Sequence, residues 1–306
     1  MKISVCVTVF NEEKSISALL DSLLNQSKKP GQIVIVDGGS TDNTVEIIRH
    51  YQKKDSRIKL YVEKCSRARG RNLSVEIASG EIIAMTDAGC IAKISWLKNI
   101  TEHFKNKKVD IVAGFYEMTA KNSLQKAFSI YLGVKPQDFD NDFLPSTRSV
   151  AFRKSTWEGI GGFSEKLKGA AEDTDFNYKA MKNNKRFARV KNAKVEWGMP
   201  KNIKEYLTKI CSYAKGDASS KIWFYPHKNI TSHNILALNI TLRYLIALLL
   251  IIISFFHSFV FYLFLVLILF YIFYSFRKAS LWGIIIQPLT EISVIAGFWS
   301  GVLGIK

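Results

Sequence analysis

The chain has 306 residues, with 43 Lys and Arg against 26 Asp and Glu, a formal net charge of +17 and 48% hydrophobic residues. That length buries a substantial core without disulfide staples. The composition excludes a small cysteine-rich scaffold, a collagen and a low-hydrophobicity disordered chain.

Residues 1–234 read as strands alternating with helices. Ile3–Val9 alternates and exits into Phe10-Asn11-Glu12-Glu13, and Ile16, Leu19, Leu20, Leu23 and Leu24 then recur at helical spacing. Ile33–Val36 is a second strand, followed by the turn Asp37-Gly38-Gly39-Ser40-Thr41-Asp42 and a helix over 43–50 with Asp42 as a cap. Strands over 58–62, 82–86 and 109–113 and helices over 72–78 and 96–104 complete the series. The alternation predicts an α/β domain with a mostly parallel sheet covered on both faces. In such sheets ligands bind beyond the carboxyl ends of the strands. Asn11, Glu12, Asp37 and Asp87 all fall at those ends.

Further along, Asp138, Asp140 and Asp142 alternate in a loop, but the glycine and glutamate spacing of a calcium loop is missing, so a solvated acidic loop is expected. Gly159–Phe163 supplies a turn, and Glu172, Asp173 and Asp175 open a helix. Read alone, Asp173 is either a site acid or a partner of the helix dipole. Cys6, Cys65, Cys90 and Cys211 contain no close metal-binding pair and are expected to be ordinary reduced thiols.

The remainder is different material. Of the Lys and Arg, 39 precede residue 235, together with 25 acids, leaving +14 on the first part. Residues 235–275 are almost wholly apolar, with Arg243 and His257 as the main interruptions. About 20 apolar residues cross a hydrocarbon core, so this stretch predicts two crossings joined near His257 and Ser258 or, because that turn is very short, one long bent interfacial helix. Region 281–305, with Pro288 and Glu291, either spans again or forms a broken interfacial segment. Met1–Phe10 is too short and strand-like for a signal peptide, and Arg277 and Lys278 favour the cytoplasmic side. The expected division is a cytoplasmic α/β domain over 1–230 and a membrane region over 231–306 with two to three helices. Lys201, Lys204, Lys209 and Lys215 precede the apolar region and form either an interfacial surface for anionic headgroups or a solvated helix face. No base-reading module accompanies the positive charge, so nucleic acid is not an expected partner.

The ordered set Val9-Phe10-Asn11-Glu12-Glu13, Val36-Asp37-Gly38-Gly39-Ser40-Thr41-Asp42-Asn43-Thr44, Arg71-Asn72, Ala78-Ser79-Gly80-Glu81, Thr86-Asp87 and Gly161-Gly162-Phe163 followed by Glu172-Asp173 resembles the family 2 glycosyltransferases. The resemblance covers roughly residues 2–182. It implies a GT-A fold and inverting transfer of a sugar from a nucleotide diphosphate sugar. By resemblance Phe10, Asn11 and Glu12 line the nucleotide, Asp37 contacts the base and favours UDP, and Arg71 approaches the phosphates. Asp87 matches the first acid of the family's DxD element, but Gly89 stands at the second. A single carboxylate with diphosphate oxygens still suits Mn2+ or Mg2+. Asp173 matches the catalytic base, with Glu172 in support.

The QxxRW element of processive synthases is absent, which favours non-processive addition. Tyr213, Lys215 and Asp217 fall in a region suited to an acceptor-side lid. The apolar helices imply a polyprenyl phosphate, a glycolipid or another membrane-associated acceptor, an anionic membrane surface, and a multi-pass cell-membrane location. The other readings are a non-catalytic membrane scaffold or sugar-binding protein, and a transferase with a soluble acceptor.

Overall fold

A computed structural model describes residues 1–167, 170–226 and 231–305. Among these, eight strands form one sheet: β1 (Ile3–Val9), β2 (Gln32–Asp37), β3 (Ile58–Val62), β4 (Ile82–Met85), β5 (Cys90–Ala92), β6 (Ile111–Thr119), β7 (Val150–Arg153) and β8 (Phe187–Gly198). The helices are α1 (Ile16–Leu24), α2 (Thr44–Lys54), α3 (Arg67–Ile77), α4 (Trp96–Glu102), α5 (Ser123–Leu132), α6 (Lys154–Gly159), α7 (Glu172–Lys182), α8 (Ile203–Ser220), α9 (His233–Ser254) and α10 (Ser258–Val302).

The strand order is β3-β2-β1-β4-β7-β6-β8-β5. β1, β2, β3 and β4 pair in parallel, as does β6 with β8; β7 runs antiparallel to both neighbours, and β5 to β8. The sheet is therefore mixed, with a parallel half that matches the expectation from sequence. Every residue of β4 is buried, and so are Val5, Val7 and Val9 of β1. Such strands are covered on both faces by helices. α1 contributes Ile16, Leu19, Leu20 and Leu23, all fully buried, at the spacing of one helix face.

The register decides what meets at the rim. Val9 pairs with Asp37, so the exits of β1 and β2 lie side by side. Met85 pairs with Val150, so residues 147–149 lead into β7 beside the exit of β4. α7 is seated by aromatic packing: Phe163 stacks on Phe176 with ring centroids 4.7 Å apart, and Phe152 lies 5.2 Å from Phe176. Burying each such ring stabilises the fold by about 1.5–3 kcal/mol. Asn72 fixes the preceding turn: its Nδ2 donates to Phe163 O at 2.9 Å and its Oδ1 accepts from Phe163 N at 2.8 Å. Gly162 has φ +58°, and a Cβ there would stand 2.8 Å from Asn72 Oδ1, so only glycine fits.

The chain forms two compact units, and the division differs from the boundary expected near residue 230. The first holds Met1–Thr119, Pro136–Lys166 and Glu172–Gly198; the second holds Ala120–Lys135, Leu167–Ala171 and Met199–Lys306. α5 and α8 thus group with the apolar helices. In this second unit Phe128 of α5 stacks on Tyr206 of α8 at 4.3 Å, and Tyr206 shares a 2.6 Å hydrogen bond with Thr290. α10 is broken at Ala279 and Ser280, the latter at φ +53°, so its two halves are separate helices. The second half packs tightly on α8: a Cβ at Gly297 would stand 2.3 Å from Cys211 O, and one at Gly301 2.4 Å from Lys215 O. α9 and α10 are each long and apolar enough to cross a membrane. All four cysteines are free, as expected.

Candidate active site

The first unit carries two groups of site residues at the strand exits. One is built on the turn after β2. Asp37 is fully buried; its Oδ1 accepts from Gly39 N at 2.9 Å and Ser40 N at 2.8 Å, and its Oδ2 from Ser40 Oγ at 2.6 Å. The carboxylate braces its own turn, and a base contact would use its remaining lone pairs. Asn11 adopts φ +55°, a left-handed conformation that asparagine tolerates better than most residues. Its N–H donates to Ser40 Oγ at 2.8 Å and its Oδ1 accepts from Thr41 N at 2.8 Å. Glu12 N donates to Thr44 Oγ1 at 2.7 Å, and Ser15 Oγ donates to the Glu12 carboxylate. These bonds sew the β1 exit to the β2 turn and leave Phe10 at the surface, 59% exposed.

The other group is an ion cluster. Arg71 lies inside α3, 3% exposed. Its Nη2 donates to Asp87 Oδ1 at 2.8 Å, and its Nη1 donates to Glu172 Oε1. Thr147 Oγ1 donates to Asp87 Oδ2 at 3.2 Å. Arg67, one helical turn before Arg71, lies 3.7 Å from Glu172. Arg148 stacks its guanidinium 3.9 Å above the Trp197 ring. Among the described residues, Glu172 Oε2 is buried with no hydrogen-bond partner, and so is Arg71 Nε. Such orphaned polar atoms are costly, and each calls for an explanation such as strain, a bound water or a ligand. The residue before Glu172, Ala171, has φ +81°, a strained value for a side chain with a Cβ.

The cluster splits its acids. Burial alone would raise the Asp87 carboxyl, but Arg71, with Arg148 and Arg67 beyond it, holds it below the usual carboxylate range. Asp173 is pushed the other way: burial and then the neighbouring Glu172 raise it, against the opposing pull of Arg71 and Arg148. Asp173 also accepts from Thr174 N at 2.9 Å, so it serves the helix start as well. Asp87 is thus a firm anion at the rim and Asp173 a more basic carboxylate in the same field. Arg67, Thr147 and Arg148 are the members that the sequence did not single out. Arg67 is visible only once α3 starts at residue 67, and the other two only once β7 pairs with β4.

The glycosyl transferase family 2 model matches residues 4–157, and the model for glycosyl transferase family group 2 matches residues 134–297. The chain belongs to glycosyl transferase family 2. This family 2 chain is 30% identical over 139 residues to the glycosyltransferase GlyG of Streptococcus pneumoniae, covering 45% of each protein. It is 30% identical over 124 residues to the glycosyltransferase AglE of Haloferax volcanii, covering 39% of this chain and 41% of that protein. The match thus spans less than half the length of either relative. Its fold matches the mannosyltransferase PcManGT of Pyrobaculum calidifontis, solved with GDP-Man and Mn2+, at TM-score 0.75 and 19% identity over 100% of this chain and 88% of that one. It also matches Staphylococcus aureus TarS 1-349 with UDP-GlcNAc at TM-score 0.54 and 22% identity, over 72% of this chain and 68% of that one. The GT-A fold implied by the sequence motifs is the fold observed.

The donor set fits a divalent cation only as a site shared with a substrate. Among the described residues no group of three or more His, Cys, Asp or Glu is placed to hold a metal alone. Asp87 retains lone pairs on both oxygens and is 25% exposed, as a carboxylate that meets a phosphate-bound Mg2+ or Mn2+ must be.

Proposed function

We propose that the chain transfers a sugar, with inversion, from a nucleotide diphosphate sugar to a lipid-linked or other membrane-associated acceptor such as a polyprenyl phosphate or glycolipid. A UDP-sugar is the favoured donor. The observation that carries this reading is the buried Arg71 bridging Asp87 and Glu172, with Asp173 raised beside them. Phe10, Asn11, Glu12 and Asp37 form the nucleotide side, with the exposed Phe10 ring available to the base. Arg71, Arg67 and Arg148 oppose the charge of the diphosphate, a role suited to guanidinium groups. Asp87 would hold Mn2+ or Mg2+ together with donor phosphate oxygens, and the ion would neutralise charge on the departing diphosphate.

In the transfer step Asp173 takes the proton of an acceptor hydroxyl. The acceptor oxygen bonds to the anomeric carbon from the face opposite the diphosphate, and the electron pair of the breaking C–O bond leaves with the nucleoside diphosphate. A carboxylate raised above its ordinary range is a better base for this than a free one. An ionised phosphate acceptor has no proton to lose, and Asp173 then orients it. α9 and α10 anchor the enzyme in the cell membrane with its catalytic unit in the cytoplasm, and the basic residues of α8 face anionic headgroups. The test is a panel of UDP- and GDP-sugars with native membrane lipids and purified protein, read by product mass. A mass gain of one sugar on a lipid that disappears in Asp173→Asn supports the reading. Donor hydrolysis without any glycosylated lipid overturns the acceptor class.

A further inference from the structure

The second unit contains a polar cluster that sugar transfer does not use. Glu291, 3% exposed on the second half of α10, accepts at Oε2 from Tyr244 OH at 3.0 Å and from Tyr271 OH at 2.8 Å. Its Oε1 pairs with Arg243 Nη2 at 2.5 Å and accepts from Gln287 Nε2. Four donors from α9 and both halves of α10 saturate this carboxylate. Arg243 is in the opposite condition. Its side chain is 49% exposed, between the exposed Leu242 and Leu245, with the Tyr244 and Tyr271 rings each 5.7 Å away. A half-open guanidinium on so apolar a surface calls for an anion on its open side.

The same helices fix the level at which that anion lies. α8 carries Lys204, Lys209 and Lys215 and therefore belongs to the headgroup region rather than to hydrocarbon. The second half of α10 is seated on α8 through Gly297 and Gly301. The start of α9 packs on that layer: Ala237 clusters with Ala218 and Phe298, and Trp299 Nε1 donates to Thr241 Oγ1 at 3.3 Å. Arg243 follows Thr241, the last buried residue of α9, by two positions. From there to Ser254 the helix rises about 16 Å at its standard pitch. That is about half of a hydrocarbon core roughly 30 Å thick. The tip has no charge, with Phe255, Phe256 and Phe259 all at least 77% exposed. Part of its backbone is bonded within the turn: Phe256 N and His257 N donate to Ile253 O at 2.9 and 3.1 Å, and Val260 N donates to His257 O at 3.0 Å. A turn immersed in lipid requires such internal bonding.

We propose that Arg243 binds the phosphate of a membrane lipid headgroup and that Glu291 holds it at that level, so that the α9–α10 hairpin enters one leaflet and returns. This rests on the membrane anchoring proposed above and replaces the two crossings expected from apolar length alone. The test reconstitutes the full chain in phosphatidylcholine vesicles containing phosphatidylglycerol, with Cys65 and Cys211 replaced by Ser and Ser258→Cys introduced. The introduced thiol should resist an impermeant maleimide from both sides of sealed vesicles. A fluorophore attached there before reconstitution should be quenched most by lipids brominated near the acyl terminus. Modification from the face opposite the catalytic unit overturns the one-leaflet geometry. For the phosphate, native mass spectrometry of retained phosphatidylglycerol should give equal retention in the parent and in Glu291→Gln. Retention should fall about tenfold in Arg243→Gln/Glu291→Gln, the loss of one charge-assisted contact. The double variant leaves no buried charge unpaired, so a folded protein with undiminished retention overturns the site. Protein that fails to float with vesicles overturns the anchoring itself, and this proposal with it.

Discussion

Each unit builds its polar centre on an arginine paired with a buried glutamate, and the two centres are finished differently. At the sheet rim Arg71 is buried between Asp87 and Glu172, yet among the described residues Glu172 Oε2 and Arg71 Nε have no hydrogen-bond partner. On the apolar helices Glu291 takes four donors and is complete, while its arginine stands half exposed. An incomplete buried network is poised for a substrate and is costly until one arrives. A completed carboxylate fastens helices together and leaves only its cation to act. The difference separates a centre shaped for chemistry from one shaped for placement.

The sharpest test of the first centre is Asp173→Asn, which preserves shape and most of the hydrogen bonding to Thr174 while removing the proposed base. Turnover with a hydroxyl acceptor should fall about 10²–10⁴-fold, with nucleotide affinity unchanged in a titration. An unchanged rate would reduce Asp173 to a helix cap and erase the contrast. Next in size is stability. Arg71→Met should cost about 3–5 kcal/mol in denaturant unfolding, because it strands Asp87 and Glu172. Glu291→Gln keeps an acceptor for the tyrosines and leaves a half-exposed arginine, so it should cost about 1 kcal/mol. Equal costs would show that the two centres are the same kind of object.

Asp37→Ala removes the acceptor that holds Gly39 and Ser40. It should weaken nucleoside diphosphate binding by about 1–3 kcal/mol in calorimetry. Intact affinity would mean that the turn holds its shape without the brace. The smallest effects are pH slopes of opposite sign. The depressed Asp87 carboxyl contributes stability that is full above its unfolded value and is lost as pH falls through the folded one. The raised Asp173 carboxyl favours its protonated form in the folded state, so its contribution is lost as pH rises through the folded value. Thermal melts of Asp87→Asn should therefore lose part of the parent's acid-limb decline, and those of Asp173→Asn should lose the opposing slope. Slopes of the same sign would break the assignment of the two acids.

The parallel half of the sheet was legible because β1, β2 and β4 are apolar runs ending in polar turns. In the other half only β6 was legible, as the strand expected over 109–113, while β5, β7 and β8 were not. β5 has three residues, and β8 mixes Lys191, Lys194 and Glu196 into a strand whose partner shifts register between Ala113 and Phe115. α3 begins at Arg67 with Arg-Ala-Arg-Gly-Arg, a stretch with little apolar periodicity, so its first turn read as loop. At the site, Asp87, Arg71 and Glu172-Asp173 stood in motifs, whereas Thr147 and Arg148 gain their meaning from an antiparallel pairing with β4. Among the apolar helices, length alone predicted crossings. The break at Ala279 and Ser280 fell between the apolar regions read over 235–275 and 281–305. The seating of the following helix on α8 rests on Gly297 and Gly301, whose close approach no periodicity announces.

The turn at Phe255–Ser258 also bears on how the proposed membrane hairpin would reach a bilayer. The Phe255, Phe256 and His257 amides are already bonded and the turn holds no Lys, Arg, Asp or Glu, so inserting the proposed hairpin would drag little hydrated cargo through oil. On the one-leaflet proposal, biogenesis is a matter of partitioning rather than of export, and chains released from the ribosome before meeting lipid should still insert. Insertion that demanded a translocon during synthesis would contradict this.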